Sequence, residues 1–212
     1  MMTEKEKMLA GMMYCPVDRQ LKEEMRQSRV LTRLYNRTTE EEMEYREEIL
    51  RKLLGNAGKA PYIEPPFHCD YGRNIYVGDY FYANYDLIVL DVCDVRIGDN
   101  VMFGPRVGIY AAGHPLDADV RNFGIEFGKP VTIGNNVWVG GNVVLNPGVT
   151  IGDNVIIGSG SVVTKDIPAN TIAVGNPCKV LRELTEEDAR YWNRQKELYL
   201  SQKKEEANGH ED

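Results

Sequence analysis

The sequence predicts a mainly β protein, a parallel solenoid of triangular section with helices at both ends. Three observations carry this reading. From Ile133 an aliphatic residue returns at every sixth position, through Val139, Leu145, Ile151 and Ile157 to Val163. A companion row runs two residues ahead of it, at Val131, Val137, Val143, Val149 and Val155. Gly or Asn follows the inner residue at Gly78, Asn84, Gly98, Gly104, Gly134, Gly140, Asn146, Gly152 and Gly158. A helix repeats every 3.6 residues and a strand every two, so neither explains a period of six. One short strand plus one turn per hexad does. Three such sides close a coil of about eighteen residues, and coils stack. Alternation alone would also suit a sandwich, but the constant register with Gly or Asn at each corner favours the solenoid. Those corner residues are expected to take the left-handed backbone that a sharp corner can require.

Residues 1–58 read as a helical cap. "TEKEKMLAGMMY" is charged and then apolar, and "DRQLKEEMRQSRVLTRLYN" puts Leu21, Met25, Leu31 and Leu34 near one face. "TTEEEMEYREEILRKLLGN" opens with Thr38 and Glu41 at capping-box spacing and closes with Gly55. Its acids lie early and its bases late, which suits the helix dipole.

The solenoid is expected over 59–184. Ile75, Val77, Phe81, Ala83, Leu87 and Val89 set the pattern, a two-residue slip at Cys93 and Asp94 resets it, and Val95 to Ile109 continue it. From Val107 to Val131 the step is 24 instead of 6. Roughly eighteen residues therefore leave the prism as a loop over 111–130, and loops of that length in compact domains are often functional. This loop holds His114, one of three histidines; His68 precedes the hexads and His210 lies in a polar tail. Residues 185–212 form a last helix with Thr185 and Asp188 as its cap and Tyr191, Leu198 and Tyr199 on a docking face. The end, "ANGHED", is expected to fray.

Totals bound the function. The chain has 212 residues, a formal net charge of −7, 42% hydrophobic and 27% charged residues. That describes a soluble globular protein and argues against nucleic-acid binding, whose footprint is basic. No run of eighteen apolar residues suggests a membrane span, and the charged start lacks a signal-peptide core. Cys15, Cys69, Cys93 and Cys178 are scattered, so reduced thiols in a cytoplasm are expected. No metal site is expected, because the histidines fall in no ligand pattern; this speaks against a carbonic anhydrase on the same scaffold.

The stretches "TEKEKMLAG", "IEPPFHCDYGRNIYVGDYFYAN", "GHPLDADVRN", "GKPVTIGNNVWVGGNVVLNPGVTIGDN" and "VVTKDIPANTIAVGNPCKV" carry a resemblance. The chain resembles the hexapeptide-repeat acyltransferases, which are left-handed parallel β-helices, and within them the maltose and galactoside O-acetyltransferase branch. The resemblance implies acetyl transfer from acetyl-CoA to a sugar hydroxyl, in homotrimers with sites between subunits. It places His114 at the catalytic position of "GHP" and Asn84 of "FYAN" at the active site. Glu126, in the returning arm of the loop, is expected to orient His114 or bind sugar, as carboxylates orient many catalytic imidazoles; galactoside-type relatives carry Met at that position.

Acceptor binding is expected from Asp70, Asp18, Arg26 and Asp91, the last with its register open by one residue. The coenzyme positions match Gly141, Ser159, Thr164, Lys165, Lys179 and Arg182, with Trp138 as a surface for the pantetheine arm. Gly141 stands where galactoside-type relatives have Ser, and Lys179 where they have Arg. A sugar hydroxyl is too weak an acid to attack a thioester unaided, and a neutral imidazole suits its deprotonation. With no Gly-x-Ser-x-Gly elbow in the sequence, direct attack is favoured over a covalent acyl-enzyme. Two competing readings are a xenobiotic O-acetyltransferase and a non-catalytic scaffold.

Overall fold

The structure, a computed structural model, describes residues 1–208, with side chains through residue 203. Part of the tail expected to fray, Ala207 and Asn208, closes the last helix; 209–212, with His210, lie outside the described residues.

Three parallel walls make the prism. The first joins β1 (Asn56–Ala57), β4 (Ile75–Val77), β7 (Val95–Ile97), β12 (Val131–Ile133) and β15 (Thr150–Ile151). The second joins β2 (Tyr62–Ile63), β5 (Tyr82–Ala83), β8 (Met102–Phe103), β13 (Trp138–Val139), β16 (Ile156–Ile157) and β18 (Thr171–Val174), closed by the antiparallel β19 (Lys179–Glu183). The third joins β3 (Phe67–Cys69), β6 (Leu87–Leu90), β9 (Gly108–Tyr110), β14 (Val144–Leu145) and β17 (Val162–Val163). The first wall begins at Asn56, a few residues before the expected start, and His68 lies within the prism rather than before it. The slip at Cys93 and Asp94 is present: Val77 pairs with Ile97 and Val89 with Ile109, so the extra residues fall in the turn between them.

Both aliphatic rows point inward. Ile133, Val139, Leu145, Ile151, Ile157 and Val163 are buried, and so is the companion row from Val131 to Val155. They form one apolar core with Phe81 and Phe103, whose rings meet edge to face at 5.2 Å.

The corner glycines work differently from the expectation. Left-handed backbone falls on the third corner residue, at Tyr80, Asp86, Asn100, Arg106, Asn136, Asn142, Gly148, Asn154 and Gly160. Gly78, Gly98, Gly104, Gly134, Gly140, Gly152 and Gly158 are not left-handed. They are glycine because successive coils touch there. A Cβ on Gly98 would sit 2.8 Å from the Gly134 carbonyl oxygen, and one on Gly140 would sit 2.7 Å from the Ser159 nitrogen.

The cap is α1 (Glu4–Leu9), α2 (Arg19–Tyr35) and α3 (Met43–Leu53). Thr3 and Glu6 close a capping box on α1. On α2 the buried row is Leu21, Ser28, Thr32 and Tyr35, flanked by Met25 and Leu31; Leu34 is turned out to solvent. The expected box at Thr38 and Glu41 is displaced by one residue. Glu42 accepts from the Thr39 backbone at 2.8 Å, which makes a turn, and the helix starts only at Met43. Gly55 follows an extended Leu54 and is not a left-handed cap; a Cβ on it would strike the Arg73 carbonyl at 2.2 Å. Tyr35, Ile49, Leu50 and Leu53 plug the first coil and join the prism core. At the other end α5 (Glu186–Asn208) is capped through Thr185 and Asp188 as expected. Its Tyr191, Leu198 and Tyr199 are exposed, so the expected docking face is not covered.

Three substitutions test this packing. Ile151→Asp buries an unpaired charge and is expected to cost several kcal/mol, while Thr150→Lys, on the exposed side of β15, leaves the thermal midpoint near its starting value. Gly98→Ala is expected to cost ~1–3 kcal/mol through overpacking, although its backbone angle suits alanine. Thermal denaturation checks all three, and an unchanged midpoint for Gly98→Ala would refute close coil contact at the corners.

Candidate active site

The chain leaves the prism after buried Ala111 and returns at Val131, which pairs with Val95 across the gap. Between them β10 (Ala112–Gly113) and β11 (Phe127–Gly128) pair antiparallel, and α4 (Ala118–Asn122) crosses the tip, capped by Asp117. The extrusion is thus a built hairpin. His114 follows β10 at its neck with 59% of its side chain exposed, and its Nε2 lies 3.8 Å from Glu126 Oε2. That is beyond hydrogen-bond length and within electrostatic contact.

Glu126 is held from the cap. The Tyr14 hydroxyl donates to Glu126 Oε1 at 2.5 Å. The two backbones also bridge: Tyr14 N–H donates to the Glu126 carbonyl at 3.0 Å, and Glu126 N–H to that of Tyr14 at 3.2 Å. Burial and the Glu126 carboxylate push the Tyr14 hydroxyl far up from its ordinary range, so it remains a donor. Tyr14 was invisible in the sequence because it belongs to no repeat and lies 112 residues from its partner.

Asp70 follows the strand β3 and is half-buried. Burial raises its titration, Arg29 opposes this, and Glu126 adds to it, so these groups share one electrostatic neighbourhood. Beside Asp70, a cleft of ≈ 340 Å³ runs between α2 and the third wall, lined by Arg29, Arg33, Asn36 and His68 among others. None of those four was expected at a site; Arg29 and Arg33 are one helical turn apart, the only signal they offered.

Asp91 is corrected. It is fully buried and cannot face an acceptor. Its Oδ1 accepts the Asp70 and Tyr71 N–H groups at 3.0 and 2.9 Å, so it fixes the backbone behind Asp70. Its Oδ2 has no hydrogen-bond partner among the described residues. The register one residue on is closed too, since Val92 is buried against Met8, Tyr14, Leu21 and Tyr71, whereas Leu90, one residue back, lines the cleft beside Asp70.

The other residues expected to meet the acceptor separate. Asp18 caps α2 by accepting from Gln20 and Leu21 N–H. Arg26 grips Glu23 with two nitrogens at 2.8 and 2.7 Å. Both spend their polar groups on their own helix. Asn84 stands at the corner after β5, half-buried, with Oδ1 accepting the Tyr85 N–H at 2.8 Å. Its backbone is not left-handed, so corner geometry does not call for Asn there.

The residues expected to bind coenzyme lie toward the far end of the prism. Trp138 is 52% exposed on the outer side of the second wall. With Ile156 and Ile172 it forms one side of an apolar cleft of ≈ 600 Å³, and Trp192 of α5 faces them. Gly141 and Ser159 sit on successive coils at one corner, where Gly160 N–H donates to the Gly141 carbonyl. Thr164, Lys165 and Lys179 are exposed. Arg182 is not a free cation: it holds Asp188 at 2.7 and 2.8 Å and keeps that carboxyl well below its usual range. The Gly140 N–H donates to Ile157 and is not available to an oxyanion. Among the described residues no cluster of three His, Cys, Asp or Glu side chains is placed to hold a metal, and no helix is long and apolar enough to cross a membrane.

Burial pushes the Asp91 carboxyl up from its ordinary 3.8 to about 7. The folded protein therefore holds this proton more tightly than the unfolded chain. The stability linked to it is complete below about pH 4 and is lost as pH rises through about 7, at up to ~1.4 kcal/mol per unit. Denaturant titrations across this range are expected to show the decline in the parent and a flatter profile in Asp91→Asn. Equal slopes would show that Asp91 titrates alike in both states.

Two family models match the chain: the maltose acetyltransferase hexapeptide capping motif over residues 7–58 and the bacterial transferase hexapeptide repeat over 130–165. The galactoside O-acetyltransferase of Escherichia coli strain K12 is 42% identical over 187 residues, 88% of this chain and 92% of that one. A crystal structure of a maltose O-acetyltransferase from Clostridium difficile 630 superposes with a TM-score of 0.86 at 59% identity, covering 87% of this chain and 98% of that one. A galactoside acetyltransferase in complex with coenzyme A gives 0.86 at 42% identity, covering 89% and 94%. With the capped prism, its hairpin and its histidine in place, this chain belongs to the hexapeptide-repeat acetyltransferases, in the group of the maltose and galactoside O-acetyltransferases.

Proposed function

We propose that this acetyltransferase carries an acetyl group from acetyl-CoA to a sugar hydroxyl, with His114 as general base. The observation that carries the reading is the reachable imidazole at the hairpin neck, set against a carboxylate that the cap holds in place. The acceptor oxygen attacks the thioester carbonyl carbon while the imidazole takes its proton. The carbon–sulfur bond then breaks, and the imidazolium returns the proton to the leaving thiolate. Glu126 stabilises the imidazolium while it exists, as carboxylates do beside many catalytic histidines. Asn84 and Asp70 hold acceptor hydroxyls, which both donate and accept.

Support for acetyl-CoA comes from the relative solved with coenzyme A and from the apolar cleft at Trp138 and Trp192, which suits a pantetheine arm. Lys165 and Lys179 supply exposed cations for phosphate beyond Gly141, Ser159 and Thr164. Arg182 joins them only by exchanging Asp188 for phosphate. Homotrimers with sites shared between subunits fit the exposed apolar row of Met102 and Trp138 on the second wall. Sedimentation equilibrium is expected to find three copies; a fully active monomer would reject shared sites.

Transfer assays across glucose, maltose, galactosides and chloramphenicol rank acceptors and separate sugar from xenobiotic chemistry. His114→Ala is expected to lose about 10² to 10⁴ in kcat with acetyl-CoA affinity little changed, because the coenzyme residues lie on the wall. A folded His114→Ala protein with near-normal kcat would overturn the mechanism, and one that lost acetyl-CoA binding would move His114 to the coenzyme site.

A further inference from the structure

The cleft beside Asp70 is lined by groups of both signs. The half-buried Asp70 carboxylate lines it and feels the charges of Arg29 and of Glu126, which lies beside His114. Arg29 and Arg33 line it from α2, one turn apart on the same edge. Neither guanidinium has a carboxylate within ion-pair distance among the described residues, while Arg26, one turn earlier, is consumed by Glu23. The floor is rigid. Asn36 clamps β3 by donating to the Phe67 carbonyl and accepting from the Phe67 N–H, both at 2.9 Å. His68 projects from that strand on its exposed side. In a chain of net charge −7, two unpaired guanidiniums over a fixed floor form a local cationic pocket.

From this arrangement we infer that the acceptor is an anionic sugar, a phosphorylated or carboxylated one, whose hydroxyls meet Asp70 and whose charged group sits between Arg29 and Arg33. This rests on the sugar-acetyltransferase reading and adds the charge class of the acceptor. Guanidinium groups suit the assignment because their planar donors match phosphate and carboxylate oxygens in pairs. A neutral sugar meets Asp70 and leaves both guanidiniums solvated.

The test uses the full chain. Calorimetric titration with glucose, glucose 6-phosphate, glucuronate and inorganic phosphate reads binding, and thiol release from acetyl-CoA reads transfer. One or both anionic sugars are expected to bind about ten- to a hundredfold more tightly than glucose, by an advantage that shrinks with added salt. Whether glucose 6-phosphate or glucuronate leads tells phosphate from carboxylate. Arg29→Gln and Arg33→Gln are expected to bring the ratio toward one, while Arg96→Gln, on the first wall, leaves it in place. Equal affinity for glucose and both anions, or a preference that survives both cleft substitutions, overturns the inference. So does inorganic phosphate competing as well as glucose 6-phosphate, since that marks an anion site without a sugar. Absence of acetyl transfer to every sugar would instead reject the acetyltransferase mechanism proposed for His114, and the binding ratio would still decide the charge class.

Discussion

The approach of one coil to the next at the corners governs the rest of the molecule. Parallel strands hydrogen-bond a little under 5 Å apart, and at a corner the backbones come close enough that a Cβ has no room. Gly98 under Gly134, Gly134 under Gly152 and Gly152 under Ala169 are one column of such contacts. Because the column is unbroken, the chain can leave for a whole hairpin between Ile109 and Val131 and still land in register on Val95. The hairpin therefore stands on a platform whose height and rotation are set by backbone contacts, which suits the positioning of a catalytic group.

What hangs on the platform is joined from two sides. Tyr14 enters from the cap and Glu126 from the returning arm, and they meet through a side-chain bond and a two-way backbone bridge. Beneath them Met8, Tyr14, Leu21, Tyr71 and Val92 form a small apolar cluster separate from the prism core. Asp91 passes through the same region and holds the backbone at Asp70 and Tyr71. The candidate catalytic, acceptor and cap residues thus share one set of supports, although they are far apart in the chain.

The prism was legible in the sequence because its inner rows are periodic, and each period is a separate sample of the same constraint. Ile133 to Val163 could be read singly and all point inward. The role of the glycines was misread because sequence shows which residue is small and not which of two reasons makes it so. At Gly148 and Gly160 the reason is a left-handed backbone; at Gly98 and Gly140 it is the coil above. From the residues themselves the candidate site was legible where it interrupts the period, so His114 stood out; Asp70 and Asn84 entered through the resemblance, and Tyr14, Arg29 and Arg33 gave neither signal. Asp91 shows the limit on the other side: a carboxylate one residue from Val92 reads as a ligand, and only burial shows that it faces backbone N–H groups instead.

This sharing of supports has a consequence for cooperativity. Helices as short as α1, with six residues, have little stability of their own in water. The segment from Glu4 to Tyr14 is ordered by what it touches: Met8 and Tyr14 in the small cluster, the Cys93 thiol donating to the Met8 carbonyl at 3.1 Å, and the bridge to Glu126. Local opening of this segment would remove the Tyr14 donor and both backbone bonds from Glu126 together, leaving the carboxylate beside His114 held only by its own arm. Met8 and Tyr14 lie outside the prism core, which this segment touches through Cys93. Order of the segment from Glu4 to Tyr14 and alignment of the histidine's carboxylate are therefore one equilibrium, whereas α2 and α3, through Tyr35, Ile49, Leu50 and Leu53, belong to that of the prism.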